Sequence, residues 1–304
     1  MRILITGVSG LLGLNIAFEV SKDHHVFGVV HEHPVLTKDF QILQTDLTEK
    51  GAVDFVFERS QPDAVVHCAA ITDVDHCQKE PDLAKEINAY LPGKIADRAR
   101  KYGAKMIHVS TDAVFNGQEG NYAEGDEPHP VNVYGATKLR GEKEVAQIDP
   151  QAIIARVNFF GWSLSGNRSL AEFFLRNLRK GKDILGFKDA VFTPLLANDL
   201  GKILLELLSQ DFSGLIHVGS QDKMSKYEFG LEIARRFNYD SDLIRPGKVQ
   251  EAGLNARRGL DLSMNVERLQ ETLGFDIPEL STELDRFYTL YQQDYPQKLK
   301  NMSP

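Results

Sequence analysis

Short apolar runs alternate with amphipathic stretches through the first half of the chain. The runs cover residues 3–6, 25–30, 40–44, 64–70, 105–110 and 152–157. They are rich in Val and Ile and nearly continuous in apolar character, as strands covered on both faces of a parallel sheet read. Between them the periodicity turns helical. "LLGLNIAFEVSK" follows the first run, and "EKGAVDFVFERSQP" precedes the fourth and is stopped by Pro62. "PDLAKEINAYLPGKIADRARKYG" starts at Pro81 and ends on Gly103, a helix start and stop in the expected order. Pro92 inside that stretch predicts a kink.

This alternation predicts the α/β class: a doubly wound parallel sheet of the Rossmann type. The second half is less regular. Helical patterns begin at Asn167, Ala197, Lys226 and Ser281, and "GLIHVGS" from Gly214 reads as a strand. The predicted plan is a nucleotide-binding sheet domain over residues 1–157, to which the chain returns at about 190–220. A smaller, mixed α/β substrate domain takes residues 158–189 and 221–304.

Composition narrows the function. The 304 residues are 42% hydrophobic and 26% charged, with a net charge of −8. No dense Lys/Arg block occurs, which argues against a nucleic-acid or anionic-membrane partner. Cys68 and Cys77 form no CxxC pair and belong to no metal-ligand cluster, so reduced thiols and no metal are expected. The chain opens directly on a strand and has no run of about 18 apolar residues. The expectation is a cytoplasmic protein without a membrane span.

The first strand–helix junction carries chemistry. "TGVSGLLG" places Gly7, Gly10 and Gly13 there. Glycine permits φ > 0 and close approach of a pyrophosphate, and the helix start adds free N–H groups. In this context the spacing predicts a dinucleotide site. His31 ends the second strand, where an acidic residue would bind a ribose 2′-OH. A phosphate beside it would hold the imidazole protonated, which favours NADP, with NAD possible. Asp46, after the third strand, is placed to accept from an adenine amino group or to close a turn.

Tyr134 and Lys138 in "YGATK" share one helix face at i, i+4. A lysine ammonium beside a tyrosine favours tyrosinate and makes it a usable acid–base group. Thr111, in "STDAVF", adds a hydroxyl at the end of a buried strand.

Taken in order, "TGVSGLLG", "HCAA", "STDAVF", "YGATK" and "RVNFFG" resemble the extended short-chain dehydrogenase/reductases over essentially the whole chain. The resemblance implies a triad. Thr111 would bond the substrate oxygen, Tyr134 would give the proton, and Lys138 would hold the nicotinamide ribose and tune Tyr134. It implies further cofactor contacts at Ser9, Leu11 and Leu12, at Leu47, at Cys68, Ala69, Ala70 and Thr72, and at Val109.

Within that family, "STDAVFNGQEGNYAEGDEPHPVNVYGATKLRGE" is similar to the dTDP-4-dehydrorhamnose reductase group. Sugar-nucleotide dehydratases carry a glutamate where this chain has Ala113, so the resemblance favours keto reduction. The implied substrate side comprises Asp73, Asp75, Asp112, Ala113, Val114 and Asn158, with Trp162 stacking on a sugar or base or packing in the core. Near the C-terminus "ARRGLDLSMNVERL" departs from the group, with Gly259 in place of its proline. Arg257 and Arg258 remain available to clamp a diphosphate. The same resemblance includes the NADP-binding regulatory subunit of methionine adenosyltransferase and nucleotide-sugar epimerases, which stay open as alternatives. It also implies a homodimer through helices at 82–102 and 133–147, where relatives sometimes hold Mg²⁺; no ligand cluster for it is visible here.

Overall fold

The computed structural model describes residues 1–210 and 212–303. The first half runs β1 (Arg2–Thr6), α1 (Leu11–Val20), β2 (His25–Val30), β3 (Gln41–Gln44), α2 (Ala52–Ser60), β4 (Ala64–His67) and α3 (Val74–Lys79). It continues with α4 (Pro81–Lys85), α5 (Leu91–Tyr102), β5 (Lys105–Thr111), α6 (Val133–Ile148) and β6 (Ile153–Val157).

The second half adds β7 (Phe159–Phe160), α7 (Leu170–Leu178), β8 (Ile184–Phe187), β9 (Val191–Phe192) and β10 (Leu195–Leu196). Next come α8 (Ala197–Ser209), β11 (Gly214–Val218), β12 (Met224–Ser225), α9 (Lys226–Arg236) and β13 (Ile244–Gly247). Three helices close the described chain: α10 (Glu267–Leu273), α11 (Leu280–Gln292) and α12 (Tyr295–Lys300).

Seven parallel strands form one sheet in the order β11-β6-β5-β4-β1-β2-β3. The strand order reverses between β1 and β4, so the crevice outside their carboxyl ends is the ligand position of such sheets. Alternation sends Ile3 and Ile5 to one face with α1 and α8. Leu4, Val65 and Met106 face the other, with α2, α5 and α6. Both faces are covered, which is why these runs read as continuously apolar. The remaining strands of the second half form three two-stranded ladders, β7 with β10, β8 with β13 and β9 with β12. Alpha-8 and β11 return to the sheet.

The kink predicted at Pro92 takes a specific form. A π-helical turn, Glu86–Tyr90, joins α4 to α5. Pro92 has no N–H to give the carbonyl of Asn88 four residues back, and the wider turn absorbs that vacancy. The helix expected from Asn167 begins at Leu170 because Ser169 and Glu172 form a capping box there.

Candidate functional site

The glycine loop starts with Gly7 at φ 72°, a conformation that favours glycine. A Cβ there would lie 2.9 Å from the backbone of Ala69, and one on Gly13 would lie 2.5 Å from the Gly7 carbonyl. The loop is therefore closed down against β4 and α1 at once. Gly10 caps α1 with no side chain, so the first N–H groups of the helix face the cleft. No basic side chain lies in the loop itself. The arrangement fits a dinucleotide diphosphate: a side-chain-free cradle and an open helix N-terminus.

The cleft has a volume of about 710 Å³. Every cofactor-side residue expected from sequence lines it, from Gly7, Ser9, Gly10, Leu11 and Leu12 through His31, Asp46 and Leu47. Cys68, Ala69, Ala70, Thr72, Val109, Tyr134 and Lys138 complete that wall. Asp46 closes the anticipated turn and leaves its second oxygen at the cleft. Its Oδ1 accepts from Thr48 N at 2.9 Å and Thr48 Oγ1 at 2.7 Å, while Oδ2 stands 3.6 Å from His31 Nε2. Burial opposes its ionisation, yet the Thr48 bonds and His31 hold the carboxyl below its usual range.

Three elements deliver the reacting side chains. Beta-5 ends at Thr111, whose Oγ1 donates to Asp112 Oδ1 at 2.9 Å and accepts from Ala113 N at 3.2 Å. Alpha-6, capped by Asn132, carries Tyr134 and Lys138 one turn apart. The Thr111 and Tyr134 hydroxyls line the same cleft, close enough for Thr111 to act on the Tyr134 phenol. Beyond β6, Asn158 Nδ2 donates to Asp112 Oδ2.

The electrostatics differ from expectation at one point. Burial pushes the Tyr134 hydroxyl well above the usual phenol range, against the effect of the Thr111 hydroxyl, and the Asp112 charge adds to the rise. Lys138 does not offset this, and its Nζ donates to the Val109 carbonyl at 2.7 Å. Burial lowers Lys138 to about 8, while Glu142 holds it up. Tyr134 is thus a neutral phenol, the form that gives a proton. Cys68 is also a neutral group, its thiol pushed up to about 12 by burial.

The substrate side is only partly as predicted. Asp112 and Asn158 line the cleft. Trp162 does not: it is 4% exposed, its ring stacks on Phe287 at 4.1 Å, and its Nε1 donates to the Phe287 carbonyl at 3.2 Å. Its indole N–H is satisfied inside the core, so stacking on a ligand is ruled out. Val114 is fully buried, in contact with Phe115 and Tyr122, and Ala113 does not line the cleft. Asp73 caps α3 by accepting from His76 N at 2.9 Å. Asp75 accepts from Ala256 N at 2.8 Å and from Arg258 Nη2 at 3.0 Å. Arg258 is thereby tied to Asp75 and Arg257 is exposed, and neither lines the cleft where a diphosphate clamp was expected.

Two cations that sequence reading missed do line it, Arg168 and Lys226. Both stand at helix starts. Arg168 precedes the Ser169/Glu172 capping box, and Lys226 follows Ser225, which forms a second box with Glu228. The S-x-x-E signature at each position was the available signal. Phe159 and the π-turn residue Ile87 add apolar wall. Among the described residues, no cluster of three or more His, Cys, Asp or Glu is arranged to hold a metal, and no helix is long and apolar enough to cross a membrane.

Comparison with known proteins extends this picture over the whole length. The family model described as RmlD substrate binding domain matches residues 1–293. The probable low-salt glycan biosynthesis reductase Agl14 of Haloferax volcanii is 33% identical over 290 residues, covering 93% of this chain and 96% of its own. Methionine adenosyltransferase 2 subunit beta of Danio rerio is 30% identical over 284 residues, covering 91% and 86%. Among solved structures, the dTDP-4-dehydrorhamnose reductase of Bacillus anthracis in complex with NADP aligns with a TM-score of 0.83 at 27% identity. That alignment covers 95% of this chain and 98% of the other.

Proposed function

This chain belongs to the RmlD substrate binding domain family, and from that premise we propose that it reduces a 4-keto nucleoside-diphosphate sugar with NADPH. The observation that carries the reading is the meeting of Thr111, Tyr134 and Lys138 at the carboxyl edge of the sheet, beside a glycine cradle. The glycine cradle and the start of α1 would hold the dinucleotide, which would supply the hydride for the carbonyl carbon. Tyr134 gives its phenolic proton to the oxygen that becomes a hydroxyl. Thr111 orients that oxygen by turning its hydroxyl proton from Asp112 Oδ1 to the substrate. Lys138 binds the ribose side, with its Nζ anchored on the Val109 carbonyl near the end of β5. Ala113 offers no acid–base group beside the triad, which supports reduction over dehydration.

Purified protein should consume NADPH with a dTDP-4-keto-6-deoxy sugar. Tyr134→Phe should lower kcat by about 10²–10⁴-fold and leave NADPH binding intact. Unchanged turnover in that variant would remove Tyr134 from the mechanism.

A second reading has a specific basis in the 30% identity to a methionine adenosyltransferase subunit. On it, the cleft binds dinucleotide and the chain regulates a partner enzyme. NADPH binding without turnover across a panel of 4-keto nucleotide sugars, together with co-purification of such a partner, selects this reading. On either reading we also infer a homodimer through the helices at 82–102 and 133–147, where Leu83 and Tyr90 are exposed. Light scattering at micromolar concentration tests it, and a monomer mass removes it.

A further inference from the structure

Below the triad lies a buried ion pair that the reaction as described does not use. Glu142, on α6 one turn after Lys138, is 5% exposed. Its Oε1 accepts from Ser110 Oγ at 2.5 Å and from Arg156 Nε at 3.0 Å, and its Oε2 accepts from Arg156 Nη2 at 2.8 Å. Ser110 and Arg156 are direct partners across β5 and β6. Ser110 is the residue before Thr111, and Arg156 lies two residues before Asn158.

We propose that Glu142 is a positioning residue: its carboxylate ties together the three elements that carry Thr111, Tyr134 with Lys138, and Asn158, and keeps the Lys138 ammonium charged. The tie is geometric first. Beta-5 gives Ser110 and β6 gives Arg156 to the one carboxylate that α6 carries, so a shift of any of the three breaks a charge-assisted bond. The same carboxylate is the acidic group that faces Lys138. The other titratable groups around the lysine are His67 and Cys68 at the end of β4 and His108 on β5. All three are kept neutral by burial, so they supply no counter-charge. Arg156 neutralises Glu142 overall, as a buried pair requires, and its guanidinium also lies 5.0 Å from the Phe115 ring centroid.

This inference rests on the reductase reading for the role of Lys138, and its test separates the two. NADPH affinity, followed by nicotinamide fluorescence from pH 6 to 10, should weaken in the wild type as pH rises through about 8, where Lys138 loses its proton. In Glu142→Gln the fall should move about one pH unit lower. Where turnover is measurable, kcat should drop roughly tenfold with KM little changed, since the reacting groups are misaligned and the binding walls are intact. Glu142→Asp should restore the wild-type position of the profile. If Glu142→Gln does not fold, because Arg156 is left unpaired, the double variant Glu142→Gln/Arg156→Met removes both charges and should show the same acid-ward shift. A variant that only melts at lower temperature, with the wild-type pH profile and rate, overturns the proposal, as does a wild-type profile that is flat through pH 8. Wild-type protein that binds NADPH but does not turn over overturns the reductase reading and leaves the binding profile to judge Glu142.

Discussion

Thr111 Oγ1 gives its proton to Asp112 Oδ1 at 2.9 Å, which points a lone pair of the hydroxyl at the Ala113 amide, 3.2 Å away. The second carboxylate oxygen of Asp112 receives Asn158. Asp112 is therefore a fixed point of the substrate side, with both carboxylate oxygens engaged. Its burial raises its pKa, and the Asn158 and Thr111 bonds partly offset that. Asp112→Ala frees the Thr111 rotor and leaves Asn158 without its acceptor. Turnover should fall at least tenfold, and stability by about 1–3 kcal/mol, read from chemical denaturation. Retained turnover with lost stability would restrict Asp112 to a packing role.

Three histidines are buried in the sheet region without charge. His67 and His217 are each lowered to about 3 by burial, and His108 is lowered well below its ordinary value. A base whose folded pKa is depressed contributes stability that is present above its unfolded value, near 6.5, and is lost as pH falls toward the folded value. Stability should therefore drop steeply between about pH 6.5 and 3, by up to roughly 4 kcal/mol per pH unit when all three differ in protonation. Neither ring nitrogen of His108 has a hydrogen-bond partner. His108→Leu should flatten the acid slope by about a third and raise the melting temperature at pH 5. An unchanged slope in that variant would show that His108 does not drive the acid transition.

The sheet was legible because its strands are covered on both faces, and such strands announce themselves as unbroken apolar runs. The glycine loop and the triad were legible because each needs particular residue types at fixed spacing. The substrate side was not. Its lining comes from short ladders and helix starts in the second half, where two-residue strands such as Phe159–Phe160 carry no periodicity. Trp162 illustrates the ambiguity. An aromatic with a polar edge suits a sugar site or a core equally, and only the Phe287 carbonyl waiting in α11 decides between them. Arg258 likewise looked free until Asp75, distant in sequence, took it.

Lys226 reaches the cleft from α9, outside the nucleotide-binding half, and faces Asp112. Burial lowers its pKa, and the Asp112 charge and the neighbouring Arg258 act on it in opposite directions. A half-buried ammonium on the substrate wall would donate charge-assisted bonds to a sugar oxygen or phosphate, worth about 1.5–3 kcal/mol. Lys226→Met should raise the KM for a 4-keto nucleotide sugar by roughly 10- to 100-fold and leave NADPH affinity unchanged, since no cofactor-side residue depends on it. A loss of NADPH binding instead would move Lys226 to the cofactor side.

His31 and Asp46 pull the ribose pocket in opposite directions. Their side chains are 3.6 Å apart at the edge of the cleft, and Asp46, with one oxygen spent on Thr48, presents the other to the same space. A 2′-phosphate placed there gains an imidazole N–H donor and meets a carboxylate. A free 2′-hydroxyl meets an acceptor and needs no cation. Preference for NADPH over NADH should therefore rest on His31. His31→Ala should weaken NADPH roughly tenfold, the scale of one charge-assisted phosphate bond, and change NADH little. His31→Asp adds a second carboxylate beside Asp46 and should reverse the preference. Parallel fluorescence titrations with both dinucleotides decide the matter. Equal weakening of the two in His31→Ala would assign the histidine to the shared adenosine moiety and leave the 2′-phosphate without a protein partner at this position.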